Sequence, residues 1–246
     1  MVSSVKILIP ARLGSTRLPN KPLADINGQT MIVRVCNQAV KSGYKDIIVA
    51  CSEIEVKDIV EQAGYQAIMT DPHLPSGTDR IYAALQQLSV SDMPDIIVNL
   101  QGDLPNINPE VISKTIDVLN NNIDADIATA VVEIRDNSLK NDNNVVKAVV
   151  NFSQHNMAAP VYYFSRATVP YGVPKLYEHI GIYVYRRKAL EKFINLEPSY
   201  FEKYEKLEQL RAIENGLKIY ACEIPYDLKP ISIDTQDDLD KILSNN

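Results

Sequence analysis

Short unbroken apolar runs recur along the first half of the chain, separated by segments in which apolar positions return every three or four residues. Ile7 to Ile9, Asp46 to Ala50, Gln66 to Met69 and Asp95 to Leu100 predict strands, while Met31 to Ser42, Glu55 to Ala63 and Asp79 to Leu88 carry helical periodicity. The order is that of successive βαβ units. Continuous rather than alternating hydrophobicity predicts strands buried on both faces of a parallel sheet. The fold class is therefore α/β, doubly wound and mostly parallel, with ligands expected at the carboxyl ends of the strands.

From about Ala125 the pattern changes. Ile127 to Glu133 and Val145 to Asn151 read as strands, and the polar segment Asp136 to Asn144 between them has no room for a helix. A stretch rich in tyrosine and proline follows (Pro160, Tyr162, Tyr163, Pro170, Tyr171, Pro174). Then come a strand at Ile180 to Tyr185, helices at Lys188 to Ile194 and Tyr204 to Asn215, and a late strand at Lys218 to Glu223. We read residues 125–215 as a smaller α+β lobe inserted into a single domain that runs over residues 1–246. The end of the chain, Ile231-Ser232-Ile233-Asp234, reads as a strand running into a helix that starts at Thr235 or Gln236.

With 246 residues, 46% hydrophobic and 23% charged, the chain can bury a substantial core, and nothing in it has the composition of a disordered protein. A net charge of -6 argues against nucleic acid or an anionic membrane as partner, so local positive charge points to a small anionic ligand. Three cysteines, Cys36, Cys51 and Cys222, lie in apolar surroundings without paired spacing, as reduced core thiols do, which suits a cytoplasmic protein. No basic region followed by a long apolar run opens the chain, so neither a signal peptide nor a membrane anchor is expected.

Candidate chemistry gathers after the first strand. IPARLGSTRLPNKP, residues 9–22, sets Arg12, Arg17 and Lys21 among three prolines and Gly14. Prolines and glycine disfavour a helix, and a rigid loop with three permanent cations is suited to a polyanion such as a nucleoside triphosphate. The phosphate cradle GxxxxGK[ST] and the dinucleotide fingerprint GxGxxG are both missing, which points to a different nucleotide chemistry. Asp103 closes Val98-Asn99-Leu100-Gln101-Gly102-Asp103 at the end of a central strand, where a carboxylate suits a metal ion that prefers hard oxygen, such as magnesium. Asp234 is the natural second ligand, with helix capping as its alternative role. His73, His155 and His179 have no metal spacing, so zinc is not expected, and without GxSxG a serine hydrolase is not either.

These residues resemble the 3-deoxy-manno-octulosonate (Kdo) cytidylyltransferase family over essentially the whole chain. The resemblance rests on IPARLGSTRLPNKPL (9–23), MIVRV (31–35), SGTDR (76–80), VNLQGDLP (98–105), YFSRATVP (163–170), HIGIYVYR (179–186), LEQLR (207–211) and IDTQDDL (233–239). It implies a nucleotide-diphospho-sugar transferase type of fold and transfer of a cytidylyl group from CTP to Kdo, with pyrophosphate released, for lipopolysaccharide synthesis. It further implies magnesium on Asp103 and Asp234, and catalysis by these two with Arg12 and Lys21. CTP would meet Pro10, Ala11, Arg12, Arg17, Lys21, Ser76, Gly77 and Thr78, although Ser76 and Thr78 suit a helix N-cap equally well. Gln101, Arg166, His179, Tyr183, Glu208 and Gln209 are implied to hold the sugar acid, and a homodimer is implied as the assembly. Two departures stand out: Leu104 replaces an acidic residue usual after the metal aspartate, and the loop Pro170 to Glu178 is short. Alternatives are a cytidylyltransferase for a sialic acid or an amino-substituted Kdo, and a weak CTP or sugar-acid binding protein.

Overall fold

A computed structural model of the chain describes residues 3–14, 17–153 and 157–244. Ser15 and Thr16 of the cationic loop, and His155, lie outside the described residues. Two compact units are formed, one by the residues up to Ser113 together with those from Pro230 onward, the other by Lys114–Lys229.

Four parallel strands make the sheet of the first unit: β1 (Val5–Ala11), β2 (Ile47–Cys51), β3 (Gln66–Met69) and β4 (Ile96–Leu100), in the order β3-β2-β1-β4. Every residue of β2 and β4 is buried, as their unbroken apolar sequences require. The helices α1 (Met31–Lys41), α2 (Ile54–Gln62) and α3 (Gly77–Leu85) turn apolar stripes inward, with Met31, Ile32, Val35, Cys36 and Ala39 buried on α1. One helix escapes the sequence reading altogether: α4 (Pro109–Asn121), with Val111, Ile112, Thr115, Ile116, Val118 and Leu119 buried at helical spacing.

The second unit holds β5 (Ile127–Glu133), β6 (Lys147–Val150), β7 (Ala159–Ser165), β8 (Tyr177–Arg186) and β9 (Ile219–Glu223). Their order is β8-β5-β9-β7-β6, and β6 also pairs back onto β8, so the ladder of this unit closes on itself. Only β5 and β9 run parallel; the other pairs are antiparallel. The α+β character of the lobe follows. Three expectations are corrected here. The polar segment after β5 does hold a short 3-10 helix, Asn137–Asn141, capped by the Asp136 carboxylate on the Ser138 N–H. The tyrosine-rich stretch contains strand β7. The single helix expected over residues 204–215 is two, α6 (Tyr200–Glu205) and α7 (Leu210–Glu214), because Lys206 takes a left-handed φ of 55° and ends the first; α5 (Arg187–Ile194) precedes them.

Toward the end of the chain Ile231 to Ile233 joins no ladder, contrary to the strand expected there. Its backbone is satisfied otherwise: the Ile231 N–H donates to Asn106 Oδ1 at 3.0 Å and the Ile233 N–H to the Asp103 carbonyl at 3.0 Å. Ile233 then packs with Leu18, Ile26, Met31 and, from α8 (Gln236–Ser244), Leu239 and Ile242. This cluster ties the cationic loop, the start of α1 and the final helix together.

Candidate active site

The loop that leaves β1 is held from several sides. The Leu13 N–H donates to the Glu53 carboxylate at 3.1 Å, Leu18 is buried in the cluster around Ile233, and Asn20 adopts φ 54° to start a 3-10 turn over Lys21–Leu23 with Pro22 buried. Lys21 therefore leaves a fixed backbone, and its ammonium donates to Asp103 Oδ2 and to Asp234 Oδ1, each at 2.8 Å. Burial pulls the Lys21 pKa down, but Asp103 and Asp234 outweigh it and hold the ammonium above its ordinary value. Arg17 adds a more exposed contact, 3.3 Å to the same Oδ1 of Asp234.

Asp103 reaches this point because β4 ends at Leu100 and the chain turns through Gly102. A Cβ there would lie 3.0 Å from the Pro10 carbonyl oxygen and 3.6 Å from Ile32 Cδ1, so glycine is required for close approach of the two strand ends. Asp234 is free of the capping role that was its alternative. Thr235 and Asp238 cap α8 reciprocally: Asp238 Oδ2 accepts from the Thr235 N–H at 3.0 Å and its hydroxyl at 2.8 Å, and the Asp238 N–H donates back at 3.3 Å.

A cleft of about 370 Å³ opens here, walled by Pro10, Ala11, Arg12, Gly14, Arg17, Lys21, Pro22, Gln101, Gly102, Asp103 and Asp234. A smaller one of about 240 Å³ shares Pro10, Ala11, Arg12, Gln101 and Asp103 with it and adds Leu74, Ser76, Gly77 and Arg80. Ser76 caps α3, accepting from the Asp79 N–H at 3.1 Å and donating to its carboxylate at 2.7 Å. Gly77 lies so close to Pro10 that a Cβ would meet its ring at 3.1 Å. Thr78 does not line either cleft; it is buried, and its hydroxyl accepts from Asn99 Nδ2 at 3.3 Å. Gln101 Nε2 donates to Asn99 Oδ1 at 3.0 Å.

Sequence reasoning passed over Arg80, although SGTDR contains it. Its side chain is 2% exposed; Nη1 donates to Thr70 Oγ1 at 2.7 Å and to the Asp71 carbonyl at 3.3 Å, and Nη2 has no partner among the described residues. A charged residue on the inward face of an otherwise apolar helix was the available signal. Burial holds its pKa below the ordinary arginine value, the neighbouring Glu53 opposing. Leu104 is 3% exposed and lines neither cleft, so the departure from an acidic residue falls in the core.

The remaining candidates lie in the second unit. The rings of His179 and Tyr183 on β8 lie 5.2 Å apart between centroids, tilted by 39°, with Phe164 edge-on to His179 at 5.0 Å. The single Thr129 hydroxyl proton goes to the Ile182 carbonyl at 2.7 Å, so its oxygen is assigned as acceptor from His179 Nε2–H at 2.9 Å, which leaves Nδ1 as an acceptor. Burial pushes the His179 pKa down to about 3, and burial, then Tyr185 and Glu208, push the Tyr183 phenol well up, so both are neutral at pH 7. Glu208 and Gln209 lead into α7, with Gln209 buried. Arg166 spends its guanidinium on backbone: Nε donates to the Glu205 carbonyl at 2.8 Å, Nη1 to Asn143 at 2.9 Å and Nη2 to Lys206 at 3.4 Å.

Two carboxylates that converge on one cation fit a divalent metal ion whose other ligands are phosphate oxygens and water. No group of three or more potential metal ligands occurs among the described residues.

Comparison with known proteins gives the following. Residues 6–219 match the family model described as Cytidylyltransferase. The chain is 46% identical over 235 residues to a 3-deoxy-manno-octulosonate cytidylyltransferase of Paramagnetospirillum magneticum, covering 96% of this chain and 94% of that protein. It is 50% identical over 234 residues to the protein of that name from Brucella ovis, covering 95% and 92%. Among solved structures it is similar to CMP:2-keto-3-deoxy-manno-octonic acid synthetase complexed with CTP, with a TM-score of 0.89, 34% identity and coverage of 99% and 98%. A 4-diphosphocytidyl-2C-methyl-D-erythritol synthase from Anaerococcus prevotii shares the fold at a TM-score of 0.64, with 15% identity and coverage of 99% and 98%.

Proposed function

We propose, since the chain belongs to the 3-deoxy-manno-octulosonate cytidylyltransferase family, that it is the nucleotidyltransferase that joins Kdo to the cytidylyl group of CTP and releases pyrophosphate. The observation that carries this reading is the convergence of Lys21, Asp103 and Asp234, with Arg12 and Arg17 in the same cleft. The relatives named for the reaction, and the similar structure that holds CTP, support the choice of substrates.

The sugar's anomeric hydroxyl attacks the α-phosphorus and pyrophosphate departs in line, so the work is positioning and charge neutralisation. Arg12, Arg17 and Lys21 bind the triphosphate and stabilise negative charge on the leaving group. Pro10, Ala11, Ser76 and Gly77 flank the nucleoside. Asp103 and Asp234 would hold magnesium, which when bound acts as a Lewis acid on the phosphate and lowers the pKa of the attacking hydroxyl. In the second unit His179, Tyr183 and Gln209 offer the hydroxyls of Kdo neutral donors and acceptors, Glu208 accepts from hydroxyls through its carboxylate, and Arg166 adds positive charge; Gln101 offers an amide in the cleft of the first unit. No strong base is required.

The test is a matrix of nucleotides against sugar acids, Kdo freshly prepared, with pyrophosphate release as readout. Magnesium-dependent release with CTP and Kdo is the expected result. Saturable CTP binding with no release would sink the enzyme reading, and preference for a sialic acid would sink the substrate. A cytoplasmic place in lipopolysaccharide synthesis goes with this reading, as does a homodimer. Exposed Tyr162, Tyr200 and Tyr204 offer an aromatic surface for self-association, and sedimentation of the purified protein decides it.

A further inference from the structure

One contact in the cleft has the wrong partners for its assigned task. A lysine whose work is to bind phosphate is found with both its short hydrogen bonds on the two carboxylates that would hold the metal ion. Its backbone is fixed by the 3-10 turn and by buried Pro22, and its side chain is only 15% exposed, so this is a built position rather than a stray surface contact.

We infer that Lys21 is a placeholder cation: without nucleotide its ammonium occupies the point between Asp103 and Asp234 that a divalent ion would take, and it yields that point to the bare ion only at saturating concentration but readily as a metal-bound triphosphate enters. The inference rests on the metal reading proposed above. Charge bookkeeping supports it. Asp103 and Asp234 carry two negative charges, and Lys21 and Arg17, both within hydrogen-bond or ion-pair distance of them, carry two positive ones. A bare divalent ion would thus enter a cluster that is already neutral, and would have to displace an ammonium holding two charge-assisted bonds. A triphosphate removes both obstacles, because it gives Lys21 and Arg17 new anionic partners as it delivers the metal. Until then the ammonium keeps two like charges together that would otherwise repel. Metal and nucleotide affinities are coupled as a result, each raising the other.

The experiment measures Mn²⁺ binding to the full chain by electron paramagnetic resonance, with and without CTP and with no sugar acid present, for the wild type and Lys21→Met. Removing a competitor that holds two charged hydrogen bonds gives an expected gain of at least about tenfold in Mn²⁺ affinity for nucleotide-free Lys21→Met, and that gain vanishes when Asp103→Asn is added. CTP strengthens Mn²⁺ binding to the wild type more than to the variant. Equal or weaker Mn²⁺ binding by nucleotide-free Lys21→Met overturns the placeholder while wild type with CTP still binds the ion. If wild type with CTP binds no more Mn²⁺ than CTP alone, the metal reading falls and this inference falls with it. A wild-type measurement guards against misfolding of the variant: reductive methylation of the Lys21 amine, read by peptide mass spectrometry, rises when saturating Mn²⁺ is added without nucleotide. Unchanged labelling refutes the exchange.

Discussion

Replacing Asp103 by asparagine tests the site most directly, since it removes a charge while leaving size and shape. Lys21 keeps its 2.8 Å bond to Asp234, and the asparagine carbonyl still accepts a neutral hydrogen bond. The pair being replaced is partly solvated, with side chains 15% and 26% exposed, so the stability cost is about 1 kcal/mol. For a chain of this size that amounts to about 2–4 °C in Tm. Catalysis stands to lose more. In the proposed role, in which Asp103 would hold a metal ion that acts on developing charge, removing such a group costs about 10²–10³-fold in turnover, or about 3–4 kcal/mol. The assay is pyrophosphate release from CTP and fresh Kdo at fixed magnesium, with metal-free thermal unfolding on the same preparations. A folded variant that turns over at the wild-type rate would remove Asp103 from the reacting site. Loss of turnover matched by loss of the folded state would make the carboxylate a structural anchor instead.

Gly102→Ala brings a Cβ to 3.0 Å from the Pro10 carbonyl and forces the ends of β1 and β4 apart by a few tenths of an ångström. Overpacking of this kind costs about 1–3 kcal/mol, and turnover falls further than stability because Asp103 moves with the strand end; unfolding midpoints alongside kcat check both. Arg166→Lys leaves one ammonium to replace donors aimed at Asn143, Glu205 and Lys206, so a loss of about 1–2 kcal/mol is expected in denaturant unfolding. Unchanged stability with a raised KM for the sugar alone would make the guanidinium a ligand rather than a backbone tie. His179 titrates near 3 in the folded protein against about 6.5 unfolded, so the unfolded chain binds the extra proton first. Its contribution to stability is complete above about pH 6.5 and is lost as pH falls from there toward 3. His179→Gln therefore flattens the pH dependence of unfolding over that window, and an unchanged slope refutes the burial argument.

The parallel strands were legible because burial on both faces writes itself as an uninterrupted apolar run. Helix α4 was equally well written, in Val111, Ile112, Thr115, Ile116, Val118 and Leu119, with Pro109 at its first position acting as a start signal rather than a breaker. Strand β7 was hidden by Pro160, which pairs at the end of a contact with β9 only two residues long, where a missing N–H matters little. Ile231-Ser232-Ile233 has the alternation of a strand, and alternation reports an extended backbone without saying what receives its hydrogen bonds. In the site, residue type and loop rigidity marked Arg12, Arg17, Lys21, Asp103 and Asp234. The seating of Lys21 on both aspartates was not legible, because it depends on the packing of Leu18 and Ile233, residues far apart in the chain. The engagement of Arg166 with three backbone carbonyls was equally invisible, since backbone acceptors leave no trace in side-chain sequence.

The bond between Lys21 and Asp234 joins residues 213 positions apart. During synthesis, then, a ribosome-bound chain can complete the parallel strands of the first unit and the whole of the second while still lacking one of the two carboxylates and the Ile233 that seats it. Such a nascent chain has the cations of the cleft but only half of their counter-charge. The cleft is completed by a segment that emerges after every strand of both units, so pairing of Lys21 waits on residues beyond the sheet rather than on the folding of the sheet itself.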